Sequence, residues 1–293
     1  MGSRRGTVND LMRYAGECGM VSGNPPILIM TSAPVSSPAD LAGCLAIAEG
    51  ASRAAGILLK NAFGGSLEVD EKKTYDIKLA LDRETQAFLE GRILAAYPDH
   101  VILGEEGNTG NQDAPWQWVI DPIDGTVNFF YGIPHFCISI ALRHHGRTVL
   151  GLIHDPMLDE TWTVLDGGPP TLNGRPIHVS QRDTLGEAIV TVGFSKSKAS
   201  LDHGFERYRE LAYKVRKTRM MGSAALAMAY IASGRLDAYI EEQISLWDIA
   251  AGHLLVEAAG GKVILRASDD PEAANTKMFI CASNGRLPLD NYL

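Results

Sequence analysis

Trp118-Val-Ile-Asp-Pro-Ile-Asp-Gly-Thr-Val-Asn-Phe-Phe130 is the stretch from which the rest of the chain can be read. Apolar residues from Trp118 to Ile120 feed into Asp121. A second carboxylate, Asp124, follows across Pro122 and directly precedes Gly125. A buried strand that stops at Asp-Pro-Ile-Asp-Gly-Thr brings two anionic side chains and a loop carbonyl to one point. Negative charge gathered at the end of a buried strand is costly unless a positive group sits against it. Hard divalent cations with oxygen ligands meet that need. Taken singly, Asp-Pro and Asp-Gly mark turns. Here Asp121, Pro122, Asp124, Gly125 and Thr126 occur together. At usages of roughly one in twenty per residue, that set arises by chance in well under about one chain in a thousand.

Two further acidic segments extend the pattern. Val101-Ile-Leu-Gly104 reads as a short buried strand and runs into Glu105-Glu106-Gly107. Two glutamates framed by glycines also suit a solvated turn. However, Glu105 and Asp121 each follow a short apolar run, and neighbouring strands ending at one sheet edge would bring them together. Farther on, Leu246-Trp-Asp-Ile-Ala-Ala-Gly-His-Leu-Leu-Val-Glu-Ala-Ala-Gly-Gly261 reads as a helix with Asp248 in its first turn. Its apolar face is Ile249, Leu254, Leu255 and Ala258, and Gly260-Gly261 ends it. An acid in the first turn complements the helix dipole, a role compatible with holding a metal.

Gly-Glu-Glu at 104–106, Trp-Val-Ile-Asp-Pro-Ile-Asp-Gly-Thr-Val-Asn at 118–128 and Trp-Asp-Ile-Ala-Ala-Gly at 247–252 resemble the three signatures of the inositol monophosphatase family. These are magnesium-dependent, lithium-sensitive phosphatases within a wider sugar-phosphatase superfamily. The similarity runs from about Leu41 to the C-terminus. The resemblance implies a layered αβαβα fold with the site between two halves, about 39–185 and 186–293, and a phosphomonoesterase acting on inositol monophosphate or a similar polyol or sugar phosphate. Relatives with the same signatures cleave fructose 1,6-bisphosphate, histidinol phosphate or phosphoadenosine phosphates, so those substrates stay open. A phosphate-binding protein without catalysis is the alternative of a different class.

Residue by residue, the resemblance implies one Mg²⁺ on Glu105, Asp121 and the carbonyl of Ile123. A second would sit on Asp121, Asp124 and Asp248, with Asp121 bridging ions roughly 3.5–4 Å apart. Gly125 and Thr126 would offer backbone N–H groups to the phosphate, or serve as ordinary turn residues. The family activates water through a Thr hydroxyl backed by an Asp, and these roles fall on Thr126 and Asp82. Asp82 is equally readable as the N-cap of a helix that it begins. The family stretch between its two aspartates carries threonines. This chain has Asp76-Ile-Lys-Leu-Ala-Leu-Asp82, with Leu79 and Leu81 in their place, which brings the hydrogen bonding behind the site into question. Asp124, Gly125, Thr126, Ala224, Glu241 and Asp248 match substrate-contacting positions. Ala224 lies in Met221-Gly-Ser-Ala-Ala225, which opens a helix whose N-terminus could receive an anion or simply pack closely. Glu241 is either a ligand for substrate hydroxyls or, with Glu242, one of two solvated acids. His135, His144, His145 and His154 lack metal-ligand spacing and read as surface or satisfied side chains. Trp247 reads as packing beside Asp248.

Composition agrees with a globular enzyme. With 293 residues, 45% hydrophobic and 21% charged, the chain can bury a large core. A formal net charge of −8 disfavours nucleic acid as a partner. The expected partner is a small phosphate monoester, with a homodimer open. Cys18, Cys44, Cys137 and Cys281 have no metal spacing and suggest free thiols in a reducing, cytoplasmic setting. No apolar run reads as a membrane span. Residues 1–38 are rich in Gly, Ser and Pro without a sustained period and read as a flexible extension. Gly2 is followed by Gly, not Ser or Thr, at position 6, so the myristoylation motif fails.

The remaining elements follow from periodicity. Helices are expected over 39–63, 82–97, 203–214 and 223–233. Short strands are expected near 101–103, 117–121, 136–144, 148–155, 160–165, 188–192, 238–240 and 262–265. Mixed helices and largely antiparallel strands indicate an α+β class.

Overall fold

The computed structural model describes residues 41–65, 67, 69–72, 77–194, 198–267 and 277–292. The N-terminal extension and Asp76 lie outside these. Helix α1 (Leu41–Ala62) is followed by a small hairpin of β1 (Val69–Lys72) and β2 (Ile77–Leu79), then by α2 (Ala80–Ala96). Strands β3 (Val101–Gly104), β4 (Gly107–Thr109), β5 (Trp116–Asp124), β6 (Cys137–His144), β7 (Arg147–Asp155), β8 (Glu160–Leu165), β9 (Thr171–Leu172) and β10 (Arg175–Pro176) form one sheet of eight. The short α3 (Thr126–Phe130) interrupts it after β5. The second sheet has β11 (Ile189–Val192), β12 (Lys217–Arg219), β13 (Ala238–Ile244), β14 (Lys262–Ala267) and β15 (Met278–Ser283), in the order 12-11-13-15-14. Helices α4 (Lys198–Ala212), α5 (Ala224–Ala232) and α6 (Leu246–Ala258) complete the chain.

Three cores separate five layers. The outer core joins α1 and α2 to the first sheet through Ala48, Ala55, Leu59, Leu89, Trp118, Ile120 and Phe136. The central core lies between the two sheets and holds α5 and α6, with Val119, Ala141, Met228, Leu255 and Ile280. The third core sits between the second sheet and α4, around Val190, Ile240, Leu211 and Phe279. The αβαβα layering is therefore present. Asp237, fully buried, ties the linker between the sheets to the second one. Its carboxylate accepts from Ser180 Oγ at 2.5 Å, Arg182 Nε at 2.7 Å and the Ile189 N–H at 2.7 Å.

Several expectations change. At 22 residues, α1 is long and apolar enough to cross a membrane, contrary to the sequence reading. Its face of Cys44, Ala48, Ser52, Ala55 and Leu59 instead packs into the outer core. The second helix begins at Ala80, so Leu79 occupies the N-cap and Asp82 sits three residues inside. The helix expected at 203–214 spans Lys198–Ala212. Strand β13 continues to Ile244, and β15, a fully buried strand between β13 and β14, was not anticipated. Ala258 is exposed, which narrows the apolar face of α6.

Candidate metal centre

The site starts with a register change. Along β5, Trp118 and Ile120 face the outer core while Val119 faces the central one. Strict alternation would put Asp121 with Val119 and turn Asp124 to the other face. The pairing with β6 shifts, however: Asp121 stands opposite Ser139 and Asp124 opposite Cys137. Three steps on β5 match two on β6, so one extra residue is inserted. Such a bulge is a place where a strand tolerates proline. Ile123 accordingly lies in the outer core with Ile120, and both carboxylates point inward. Asp121 Oδ1 accepts the Ile123 N–H at 3.0 Å, pinning the bulge.

Glu105 arrives as the sequence suggested. Strands β3 and β5 run parallel, with Gly104 opposite Ile120, so both end at one sheet edge. The Glu105 N–H donates to the Ile120 carbonyl at 3.1 Å. The turn is clamped by Gln86, whose Oε1 accepts the Glu106 N–H at 2.9 Å and whose Nε2 donates to the Gly107 carbonyl at 3.0 Å. Asp248 sits in the first turn of α6, where its Oδ2 accepts the Ser245 N–H at 2.9 Å. One oxygen each from Asp121, Asp124 and Asp248 lies within 4.8 Å of the others. No histidine joins this trio among the described residues. His154 is buried and paired with Thr161 Oγ1, and His144 stacks on Trp116 at 4.0 Å. Trp247 packs at the edge of the central core, as expected.

Asp124 is held by the helix that was expected to receive an anion. Ser223 Oγ donates to its Oδ2 at 2.6 Å, the Ala225 N–H donates to the same oxygen at 2.7 Å, and the Ala224 N–H reaches Oδ1 at 3.3 Å. The anion at the start of α5 is thus a side chain of the chain itself. Gly125 follows at φ 102°, and a Cβ there would meet the His135 carbonyl oxygen at 3.0 Å. Glycine is therefore required to turn the strand into α3.

Asp82 does two jobs with its two oxygens. Its Oδ2 accepts the Leu79 N–H at 3.2 Å, and its Oδ1 lies 3.1 Å from Thr126 Oγ1. Thr126 also lies 2.9 Å from the Ile123 carbonyl oxygen, so one hydroxyl proton has two acceptors. Leu79, fully buried, and Leu81 pack into the outer core where the family has hydroxyls. Glu241, on β13, receives the phenol of Tyr239 and is half-buried.

Crowding shows in the acids themselves. Burial pushes Asp82 up to about 7 against the Thr126 hydrogen bond. Burial, reinforced by the charge of Asp248, takes Glu105 to about 8. Asp121 is raised well above its ordinary value by burial and by Glu105, Asp124 and Asp248. Asp124 reaches about 7 through burial and Asp248, although Ser223 and the start of α5 oppose this. Burial also raises Asp248, with Lys277 pulling the other way. A buried set of carboxylate oxygens that resist ionising together lacks positive charge. Its chemistry, oxygen only and no sulfur or imidazole, suits a hard divalent cation. Gln86, Ser223, Tyr239 and Lys277 were not marked as site residues from sequence.

A family model described as the inositol monophosphatase family matches residues 40–289. Among curated relatives, a Nus factor SuhB of Pseudomonas aeruginosa is 39% identical over 227 residues, spanning 75% of this chain and 84% of that one. An inositol-1-monophosphatase of Synechocystis sp. is 36% identical over 263 residues, spanning 88% and 91%. The solved inositol monophosphatase of Anabaena (Nostoc) sp. superposes with a TM-score of 0.73 at 34% identity, covering 87% of this chain and 95% of that one.

Proposed function

This chain belongs to the inositol monophosphatase family, and from that premise we propose that it is a Mg²⁺-dependent phosphomonoesterase for inositol monophosphate or a similar polyol or sugar phosphate. The observation that carries the reading is the convergence of Asp121, Asp124 and Asp248, from two distant segments, to within 4.8 Å. Glu105, Asp121, Asp124, Asp248 and the Ile123 carbonyl would hold the ions. Bound Mg²⁺ supplies charge for the phosphate oxygens and leaving alkoxide, and acidifies an attacking water.

The remaining work belongs to the chain. Gly125 and Thr126 present backbone N–H groups to the phosphate. Thr126 Oγ accepts a proton from water as its own passes to Asp82, whose Oδ1 lies 3.1 Å away. Pro122 and the bulge keep Asp121 and Asp124 on one face, so the metal-binding oxygens need little rearrangement. Glu241 faces the same space and addresses the substrate's hydroxyls. Phosphate release from inositol monophosphate, histidinol phosphate, fructose 1,6-bisphosphate and simple alkyl phosphates, with and without Mg²⁺, tests the reading. Hydrolysis of none of them, with no Mg²⁺ binding by calorimetry, overturns it. A second reading follows from the 39% identity to a protein named a Nus factor. It places this chain in a similar role, separable from hydrolysis. An Asp121→Asn variant that replaces that relative's Nus-factor role in a strain lacking it would support it, and failure of wild type to do so would refute it.

A further inference from the structure

Strand β13 alternates, so Tyr239 and Glu241 share the face that looks into the central core while Ile240 faces the third core. Tyr239 is 3% exposed, and its hydroxyl donates to Glu241 Oε2. Beside them, the chain leaves β11 at Gly193, whose N–H donates to the Ile240 carbonyl at 3.0 Å. A Cβ on Gly193 would overlap the Glu241 carboxylate, so that carboxylate fills the space a side chain would take. Beyond Glu241 the pairing with β15 shifts, with Glu241 opposite Ile280 and Ile244 opposite Met278, and the bulged strand turns into Ser245 and α6. Glu241 therefore looks toward the same space as Asp248 and Asp124, and both charges push its carboxyl upward, secondary to burial. Lys277, which bonds Ser245 Oγ and lies over the Trp247 ring at 5.8 Å, draws it back.

We propose that Tyr239 and Gly193 are positioning residues that hold Glu241 as a fixed acceptor for a substrate hydroxyl. They thereby set a preference for polyol phosphates over phosphomonoesters that carry no hydroxyl near the phosphate. The proposal rests on the phosphatase reading above. One oxygen of Glu241 is committed to the phenol, and the other meets no hydrogen-bond donor among the described residues. A carboxylate repels phosphate oxygens, so it addresses the alcohol part of the substrate. A substrate offering only C–H groups there covers the half-buried acceptor without pairing it, which costs more than a missing contact.

The test compares kcat/KM for inositol 1-phosphate and phenyl phosphate, with Mg²⁺, in wild type, Tyr239→Phe, Gly193→Ala, Glu241→Gln and the Tyr239→Phe/Glu241→Gln double variant. Tyr239→Phe should lower the polyol-to-phenyl ratio by at least about tenfold, as expected for one hydrogen bond to a charged group. The double variant should lose no more than Glu241→Gln alone, because the two act through one interaction. Gly193→Ala should reproduce the loss by displacing the carboxylate, and it carries the test if Tyr239→Phe does not fold. A proportional loss on both substrates, or losses that add, overturns the proposal. Equal wild-type kcat/KM for the two substrates overturns it while leaving the phosphatase reading intact. Wild type inactive on both overturns the phosphatase reading itself.

Discussion

Asp82→Asn should slow turnover and, in metal-free buffer, strengthen the fold. The two effects come from the same burial. Asp82 is 2% exposed, and burial lifts its carboxyl from an ordinary 3.8 to about 7. Between those values the folded chain holds a proton that the unfolded chain has released. Stability is therefore fully present below pH 4 and is lost as pH rises toward 7. At about 1.4 kcal/mol per pH unit, the full cost at pH 8 is about 4 kcal/mol. Asparagine carries no charge and escapes it. Asparagine offers one acceptor oxygen where aspartate offers two, so either the Leu79 N–H or the Thr126 hydroxyl loses its acceptor and about 1–2 kcal/mol is returned. The net gain at pH 8 is about 2–3 kcal/mol, shrinking to about zero at pH 5, where the wild-type carboxyl costs only about 1.5 kcal/mol. Urea unfolding in EDTA at the two pH values measures it. With Mg²⁺ restored, kcat should fall by about 10²–10⁴ while KM moves little, because the Thr126 proton loses its destination. Wild-type turnover, or a variant less stable than wild type at pH 8, would refute the reasoning.

Asp121→Asn should abolish hydrolysis and raise the metal-free melting temperature at pH 8, since it removes one of several mutually repelling acids. Retained activity at saturating Mg²⁺, or a lowered melting temperature in EDTA, would count against that placement. Asp237→Ala should cost about 3 kcal/mol in urea unfolding by orphaning Arg182, Ser180 and the Ile189 N–H; a cost under about 1 kcal/mol would show that the linker is held elsewhere. Lithium should inhibit phosphate release, and Ca²⁺ should support it poorly because its longer, looser coordination misplaces the attacking water. Full activity with Ca²⁺ alone would contradict the proposed two-ion arrangement.

Much of the site was legible in the sequence because its acids are local to strand and helix ends. Asp121 and Asp124 sit beside Pro122 and Gly125, residues that announce a break. Glu105 follows an apolar run, and Asp248 precedes one. What periodicity could not supply was which surface each side chain would meet. Asp82 was readable as a cap, yet the helix begins two residues earlier because Leu79, apolar and fully buried, takes the N-cap position. Ser223 looked like the opening of a helix. Its partner Asp124 lies 99 positions away, and no local pattern encodes that meeting. Tyr239 and Gly193 become meaningful only when β11 and β13 are laid side by side. Strand β15 went unread because a short apolar run with a cysteine has no alternation to betray it.

The extra residue in β5 also acts as a counting device. It converts an odd separation between Asp121 and Asp124 into a shared orientation. Without the register shift, the same three-residue step would put the second carboxylate opposite Phe136 and drive it into the layer that Ile120 and Phe136 occupy, among apolar neighbours. Misfolding would follow before any question of chemistry arose. The spacing is therefore under two selections at once, and selection for folding alone would preserve it in a descendant that had given up catalysis for some other employment.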